Sequence, residues 1–222
     1  MPLGVLFLSL LIGLSLYFPG QGSGKIRIDI NAPSIRKFNI AVPDFQNLGE
    51  LEDRELGKDL SEVLCNDLKL SGYFHPLDKE AFLLEEGGGL TLDSIRFKNW
   101  SVIGAELLLK AGYVLIGQTL EVEYRLFDVF WGRQILGRRA LGDRNHYRRL
   151  MHRVGNEIIR SLTDREGIFL TKLAFVGNAT GQKEIYVSDY DGHNAHQITR
   201  DQSIALLPRW SPSSERILYN SY

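Results

Sequence analysis

The chain has 222 residues, 44% hydrophobic and 24% charged, with a formal net charge of −1, a balance ordinary for a globular protein. Charge this close to neutral gives the whole chain no electrostatic footprint for nucleic acid or an anionic membrane surface. Cys65 is the single cysteine, so no intramolecular disulfide can form.

Leu3 to Phe18 is an uncharged apolar run of 16 residues, at the upper end of a signal-peptide core and short of the ~20 residues a membrane span needs. Pro19 ends it, and Gly22 and Gly24 supply the small residues that a signal peptidase reads, which places cleavage before Lys25. No Lys or Arg precedes the run, a departure from the usual signal. Gly20 to Lys25 is not a phosphate-cradling loop, because Pro19 and Ile26 stand where its first Gly and its Ser or Thr are required.

Lys25, Ile26, Arg27, Ile28, Asp29 and Ile30 alternate charge and isoleucine with period two, the pattern of a strand with one wet face. Such a segment can pair within its own domain or add to the edge of another sheet, which makes it a candidate recognition tail. Phe38 to Pro43 reads as a more buried strand. Leu56, Leu60, Val63, Leu64 and Leu68 form one apolar stripe of a helix from about Asp53 to Leu70, stopped by Gly72. Cys65 lies within that helix and reads as an inert, half-buried thiol. Ser71 to Asp78 turns into a short strand with His75 as a loop residue, and Glu85 to Gly89 reads as a flexible surface loop. Asp93 is the expected cap of a second, short helix that turns Phe97, Trp100 and Ile103 inward.

Glu106 to Ile116 and Leu120 to Val129 read as a hairpin about Gly117, Gln118 and Thr119, and Gln134 to Leu141 as a further strand. Glu121 and Glu123 share one face, and without a second acid, base or metal ligand nearby they read as solvated residues. A helix from about Asn145 to Leu162 buries Tyr147, Leu150, Met151, Val154, Ile158, Ile159 and Leu162. Arg144, Arg148, Arg149, His152, Arg153 and Arg160 occupy much of the remaining surface, a basic face that could track phosphates. The balanced total charge and the lack of an aromatic stacking platform speak against that use.

From Lys172 onward, short strands are expected at Leu173 to Val176, Glu184 to Ser188 and Ala195 to Ile198, separated by turn residues. Leu173 in Leu-Ala-Phe and Ile217 in Ile-Leu-Tyr are 44 residues apart, inside the ~40–45 repeat of four-stranded propeller blades. A blade buries its faces only against neighbouring blades. The expected chain is therefore the front part of a longer one, about twice this length. Asp189-Tyr190-Asp191-Gly192 resembles the front of a calcium loop but lacks its later ligands, so it reads as a hairpin turn with Gly192 at positive φ. His193 and His196 would lie on opposite faces of a strand, and the sequence contains no G-x-S-x-G or H-E-x-x-H. No catalytic residue, metal ligand or cofactor site is assigned.

An exported α/β domain followed by a blade with Val187-Ser188-Asp189-Tyr190-Asp191-Gly192 and Pro208-Arg209-Trp210-Ser211-Pro212, and preceded by Ser71-Gly72-Tyr73-Phe74-His75-Pro76-Leu77-Asp78, resembles the TolB family, periplasmic components of the Tol-Pal system. The resemblance runs from Lys25 to Tyr222, and departs where Ser213-Ser214-Glu215 replaces the family's usual Asp-Gly turn. It implies a signal peptide over 1–24 and an α/β (α+β mixed sheet) N-terminal domain over 25–165. Residues 166–222 would then be the first blade and the start of the second blade of a six-bladed β-propeller, truncated. It further implies a monomeric, non-enzymatic periplasmic scaffold with no cofactor and no nucleic-acid partner, associated with the outer membrane only through its partners. Those partners would be the peptidoglycan-associated lipoprotein Pal, met by the propeller, and TolA, met by the segment corresponding to Lys25, Ile26, Arg27, Ile28, Asp29 and Ile30. The implied role is maintenance of the outer membrane and its constriction during division. The alternative is the front of a propeller-fronted serine peptidase whose hydrolase domain would follow.

Overall fold

The computed structural model describes residues 36–50, 54–82 and 89–222. The expected signal, the Lys25 to Ile30 segment and most of the Glu85 to Gly89 loop lie outside these residues.

A mixed sheet organises the first part of the chain. Its strands are β1 (Phe38–Ala41), β2 (Gln46–Asn47), β3 (Phe74–Pro76), β4 (Leu107–Ile116), β5 (Thr119–Asp128) and β6 (Arg133–Asp143). The spatial order is β3-β1-β4-β5-β6, with the short β2 also on β4. β1 runs parallel to β3 and β4, while β4, β5 and β6 form an antiparallel meander. The parallel β1–β3 pair needs a crossover, and α1 (Arg54–Leu70) supplies it. The β4–β5 hairpin is tighter than expected: Ile116 pairs with Thr119, leaving Gly117 and Gln118 as a two-residue loop with Gly117 at φ +61°. That positive φ is what a hairpin turn matched to strand twist demands. His75 belongs to edge strand β3 and not to a loop, with its side chain exposed.

The two faces of this sheet are covered differently. Leu56, Leu60, Val63, Leu64 and Leu68 of α1 are all buried, as the apolar stripe requires, and they join Leu150, Met151, Val154, Ile158 and Leu162 of α3 (Tyr147–Thr163) over one face. Strand β5 meets them with Leu120, Val122, Tyr124 and Leu126, every second residue. On the other face α2 (Phe97–Val102) covers only one end, packing Trp100 against Leu108, Phe127 and Val129. Asp93 does not cap α2; it lies inside a separate 3-10 turn, Leu92–Ser94. Beyond the reach of α2 the same face is wet, and there Arg139 of β6 pairs with Glu121 at 3.4 Å and Glu123 at 3.0 Å while Arg125 holds Glu123 at 2.6 Å. The Arg125 hydrogen bond keeps the Glu123 carboxyl below its ordinary range.

Two further sheets follow α3. β7 (Lys172–Gly177), β8 (Glu184–Asp189) and β9 (His196–Gln197) form an antiparallel three-stranded sheet, and β10 (Ala205–Trp210) pairs with β11 (Ile217–Ser221) as a separate hairpin. Thr199 fastens the β8 end of the first: its hydroxyl donates to the buried Glu184 carboxylate and accepts from the Ile185 N–H at 2.9 Å. The register of β10 shifts between Leu206 and Arg209, with Leu207 at φ +57°. Pro208 in that gap has no N–H to give the ladder.

Helix α1 approaches the loop after β1 so closely that a Cβ on Gly57 would lie 2.2 Å from the Phe45 carbonyl oxygen. The Phe45 N–H in turn donates to the Gly57 carbonyl at 3.1 Å. Gly57→Ala is expected to destabilise the protein by about 3 kcal/mol, because backbone and not a yielding side chain is in the way; urea unfolding measures it. Burial pushes the Cys65 thiol up to about 11. At pH 8 its alkylation by iodoacetamide is expected to be roughly a hundredfold slower than that of an exposed cysteine, since the thiolate is the nucleophile.

Candidate functional site

The turn after β8 was expected to do no more than reverse the chain, and it does so. Asp189 N–H donates to the His193 carbonyl at 2.8 Å, Gly192 N–H to the Asp189 carbonyl at 2.9 Å, and Gly192 sits at φ +84°. The three side chains ahead of Gly192 have further partners. Asp189 is held by Lys172 and by Asn194 Nδ2 at 2.6 Å. Burial alone would raise its carboxyl, but these two hydrogen bonds outweigh it and the carboxyl lies below its ordinary range. Tyr190 lays its ring 5.5 Å from Phe169 and donates its hydroxyl to the Leu70 carbonyl at 3.4 Å. Asp191 accepts from His193 N–H through Oδ1 at 3.1 Å, while Oδ2 is bound by Arg148 of α3.

Helix α3 therefore carries a second stripe besides its apolar one. Arg148, His152, Gly155 and Asn156 follow one another at helical spacing on the side toward β7–β9. Gly155 lets Phe169 lie on the helix, since a Cβ there would come within 2.7 Å of that ring, and Asn156 Oδ1 accepts from the Phe169 N–H at 3.0 Å. His152 was expected on the solvated basic face, yet it is 4% exposed. Its Nδ1 lies 2.7 Å from Asp67 Oδ2 of α1, and its Nε2 lies 3.9 Å from Asp191 Oδ2. Burial raises the Asp67 carboxyl above its ordinary range, and the His152 hydrogen bond offsets only part of this. The other arginines are largely engaged one by one: Arg153 donates to the Leu141 carbonyl and Arg160 pairs with Glu166 at 3.1 Å. They do not form a continuous phosphate-tracking face.

Asp67, His152 and Asp191 bring three potential ligand atoms within 4.8 Å of one another. Their separation in the chain hid this grouping from spacing arguments, since Asp67 and His152 are 85 residues apart. Arg148 against Asp191 makes the place unfavourable for a divalent ion. The guanidinium already occupies Asp191 Oδ2, the carboxylate oxygen that faces His152. His193 and His196 are exposed; His193 enters the turn through its backbone N–H and carbonyl, and His196 Nδ1 lies 3.0 Å from the Asn194 carbonyl oxygen. Beside the network a cleft of about 370 Å³ opens between α3 and the β7–β9 sheet, lined among others by His146, Arg149, Leu170, Lys172 and His193. This junction ties the β7–β9 sheet to α1 and α3; among the described residues it holds no nucleophile with an adjacent base. The one hint of it in the sequence is Tyr190, a large aromatic residue in a turn whose geometry requires only small or polar ones.

Tyr190→Ala is expected to cost about 2 kcal/mol, the value for a partly buried aromatic side chain. It should also raise protease cleavage across Asp164 to Thr171, the stretch that the Tyr190–Phe169 contact pins; limited trypsinolysis reads the second effect.

Residues 26–135 match the family described as the TolB amino-terminal domain. A "Tol-Pal system protein TolB" of Syntrophotalea carbinolica is 36% identical over 195 residues, covering 87% of this chain and 45% of that protein. Its namesake in Desulfosudis oleivorans is 38% identical over 197 residues, 88% of this chain and 45% of its own. The chain thus spans about half the length of the curated relatives it matches. In fold it is similar to the crystal structure of TolB from Acinetobacter baumannii, with a TM-score of 0.67 at 21% identity over 89% of this chain and 47% of that one. From the mixed sheet through the Asp-Tyr-Asp-Gly turn, the chain belongs to the TolB family of the Tol-Pal system.

Proposed function

We propose that this protein is a periplasmic binding scaffold that links TolA to the peptidoglycan-associated lipoprotein Pal, maintains outer-membrane integrity and assists constriction at division. Membership in the TolB family is the observation that carries the reading. In it residues 1–24 are an export signal, 25–165 form the α/β domain, and 166–222 are the first blade and the start of the second blade of a β-propeller. Three features support the blade assignment. The β7–β8–β9 sheet has the antiparallel order of three blade strands, the β10–β11 hairpin packs as a separate sheet beside it, and Leu173, Phe175, Leu207 and Leu218 are exposed on the two. Exposed apolar residues on adjacent sheets suit a ring whose faces are covered by further blades. Among the described residues no helix is long and apolar enough to cross a membrane.

Binding of TolA is assigned to Lys25, Ile26, Arg27, Ile28, Asp29 and Ile30, whose alternation lets main-chain hydrogen bonds supply affinity while every second side chain enters a pocket. Pal binding is assigned to the propeller surface. Work of this kind needs a rigid platform and no reacting group. Pull-down from a Gram-negative envelope with the full-length protein is expected to recover both Pal and TolA. A variant lacking Lys25 to Ile30 should lose TolA and keep Pal. Recovery of neither by the intact protein would sink the scaffold reading, and TolA retained by the deletion variant would remove the tail from it.

A further inference from the structure

The polar groups at the junction form a closed arrangement whose charge depends on one proton. Asp67 faces His152 from α1, Arg148 lies one turn before it on α3, and Asp191 faces both from the turn after β8. Behind Asp191 stands Asp189, already bound by Lys172 and Asn194. Tyr190 is engaged at the Leu70 carbonyl. The side chains of Asp67, His152 and Asp191 are all at most 5% exposed, so solvent screens their charges little. Asp67 Oδ1, His152 Nε2 and Arg148 Nε are buried without a hydrogen-bond partner. Such atoms mark a network that a small rearrangement can complete or break.

Protonation on both ring nitrogens lets His152 donate to Asp67 through Nδ1 and present an N–H to Asp191 through Nε2. The four groups then sum to zero charge. With a single proton the ring can serve only one of the two carboxylates, and the buried set is left with one uncompensated negative charge, which is costly. Histidine is the side chain whose charge ordinarily changes between about pH 5 and 8. We propose that Asp67, Arg148, His152 and Asp191 form a proton-dependent latch that holds the β7–β9 sheet against α1 and α3, closed when His152 is doubly protonated and loosened when it is not. The latched state binds one proton more than the unlatched one, so rising pH opens it and falling pH closes it. The latch acts within the chain and does not depend on which partner binds elsewhere.

Amide hydrogen exchange of the full chain, corrected for intrinsic exchange rates, tests this on the segment Val187 to Asn194 between pH 5.5 and 8.5. In the wild type the opening constant is expected to rise with pH, by up to about tenfold per unit for one linked proton. In His152→Gln, which cannot gain the charge, and in Asp191→Asn, which keeps the turn acceptor but removes the facing charge, it should not change with pH. A flat wild-type profile overturns the latch even if both variants fail to fold, and so does an unchanged slope in either folded variant. Zinc chloride that restores protection at pH 8.5 in the wild type and not in His152→Gln would also overturn it, by making the three groups metal ligands.

Discussion

One tyrosine and one aspartate in a four-residue turn decide how the two parts of this molecule meet. Tyr190 packs beside Phe169 and reaches the end of α1, and Asp191 closes on Arg148 and His152. Everything up to the end of α3 could form its own core without them, since the large apolar cluster is built almost entirely from the sheet, α1 and α3. What they add is orientation. The β7–β9 sheet has few apolar contacts with the helices, and a polar network of fixed geometry determines its placement where a greasy interface would allow sliding.

The two parts are built differently. The α/β domain is closely fitted: α1 lies against the backbone at Gly57, Tyr124 of the central hairpin donates to Glu157 of α3, and Gly155 leaves room for Phe169 against the helix. The strands that follow are short, with β7 largely exposed and β8 largely buried. Between them lies a buried set of charges, which is worth little to stability compared with an apolar replacement but demands one arrangement of its partners.

The arginines of α3 show how a compositional signal can mislead. Counted along the sequence they make a basic face; in space Arg148 neutralises Asp191, Arg153 binds a carbonyl of β6 and Arg160 meets Glu166. Their partners lie in the turn after β8, in β6 and in the segment just after α3, all outside the helix whose periodicity the sequence shows. The same holds for Glu121 and Glu123, whose partner Arg139 arrives from the next strand.

The sequence by itself determined the elements. Period-two alternation placed β5, the leucine stripe placed α1, and the glycines at 72, 117 and 192 marked turns that all proved to have positive φ. These are local properties, fixed by backbone sterics and by one face of one element meeting apolar surroundings. Its motifs also sufficed for the family. Only the tertiary structure decided that His152 is buried, that Asp93 caps nothing in α2, and that the Asp-Tyr-Asp turn is a junction. Each of those depends on a partner from another element, Asp67 being 85 residues from His152. A charge becomes cheap to bury only when such a partner is brought to it, and periodicity within a segment carries no trace of that.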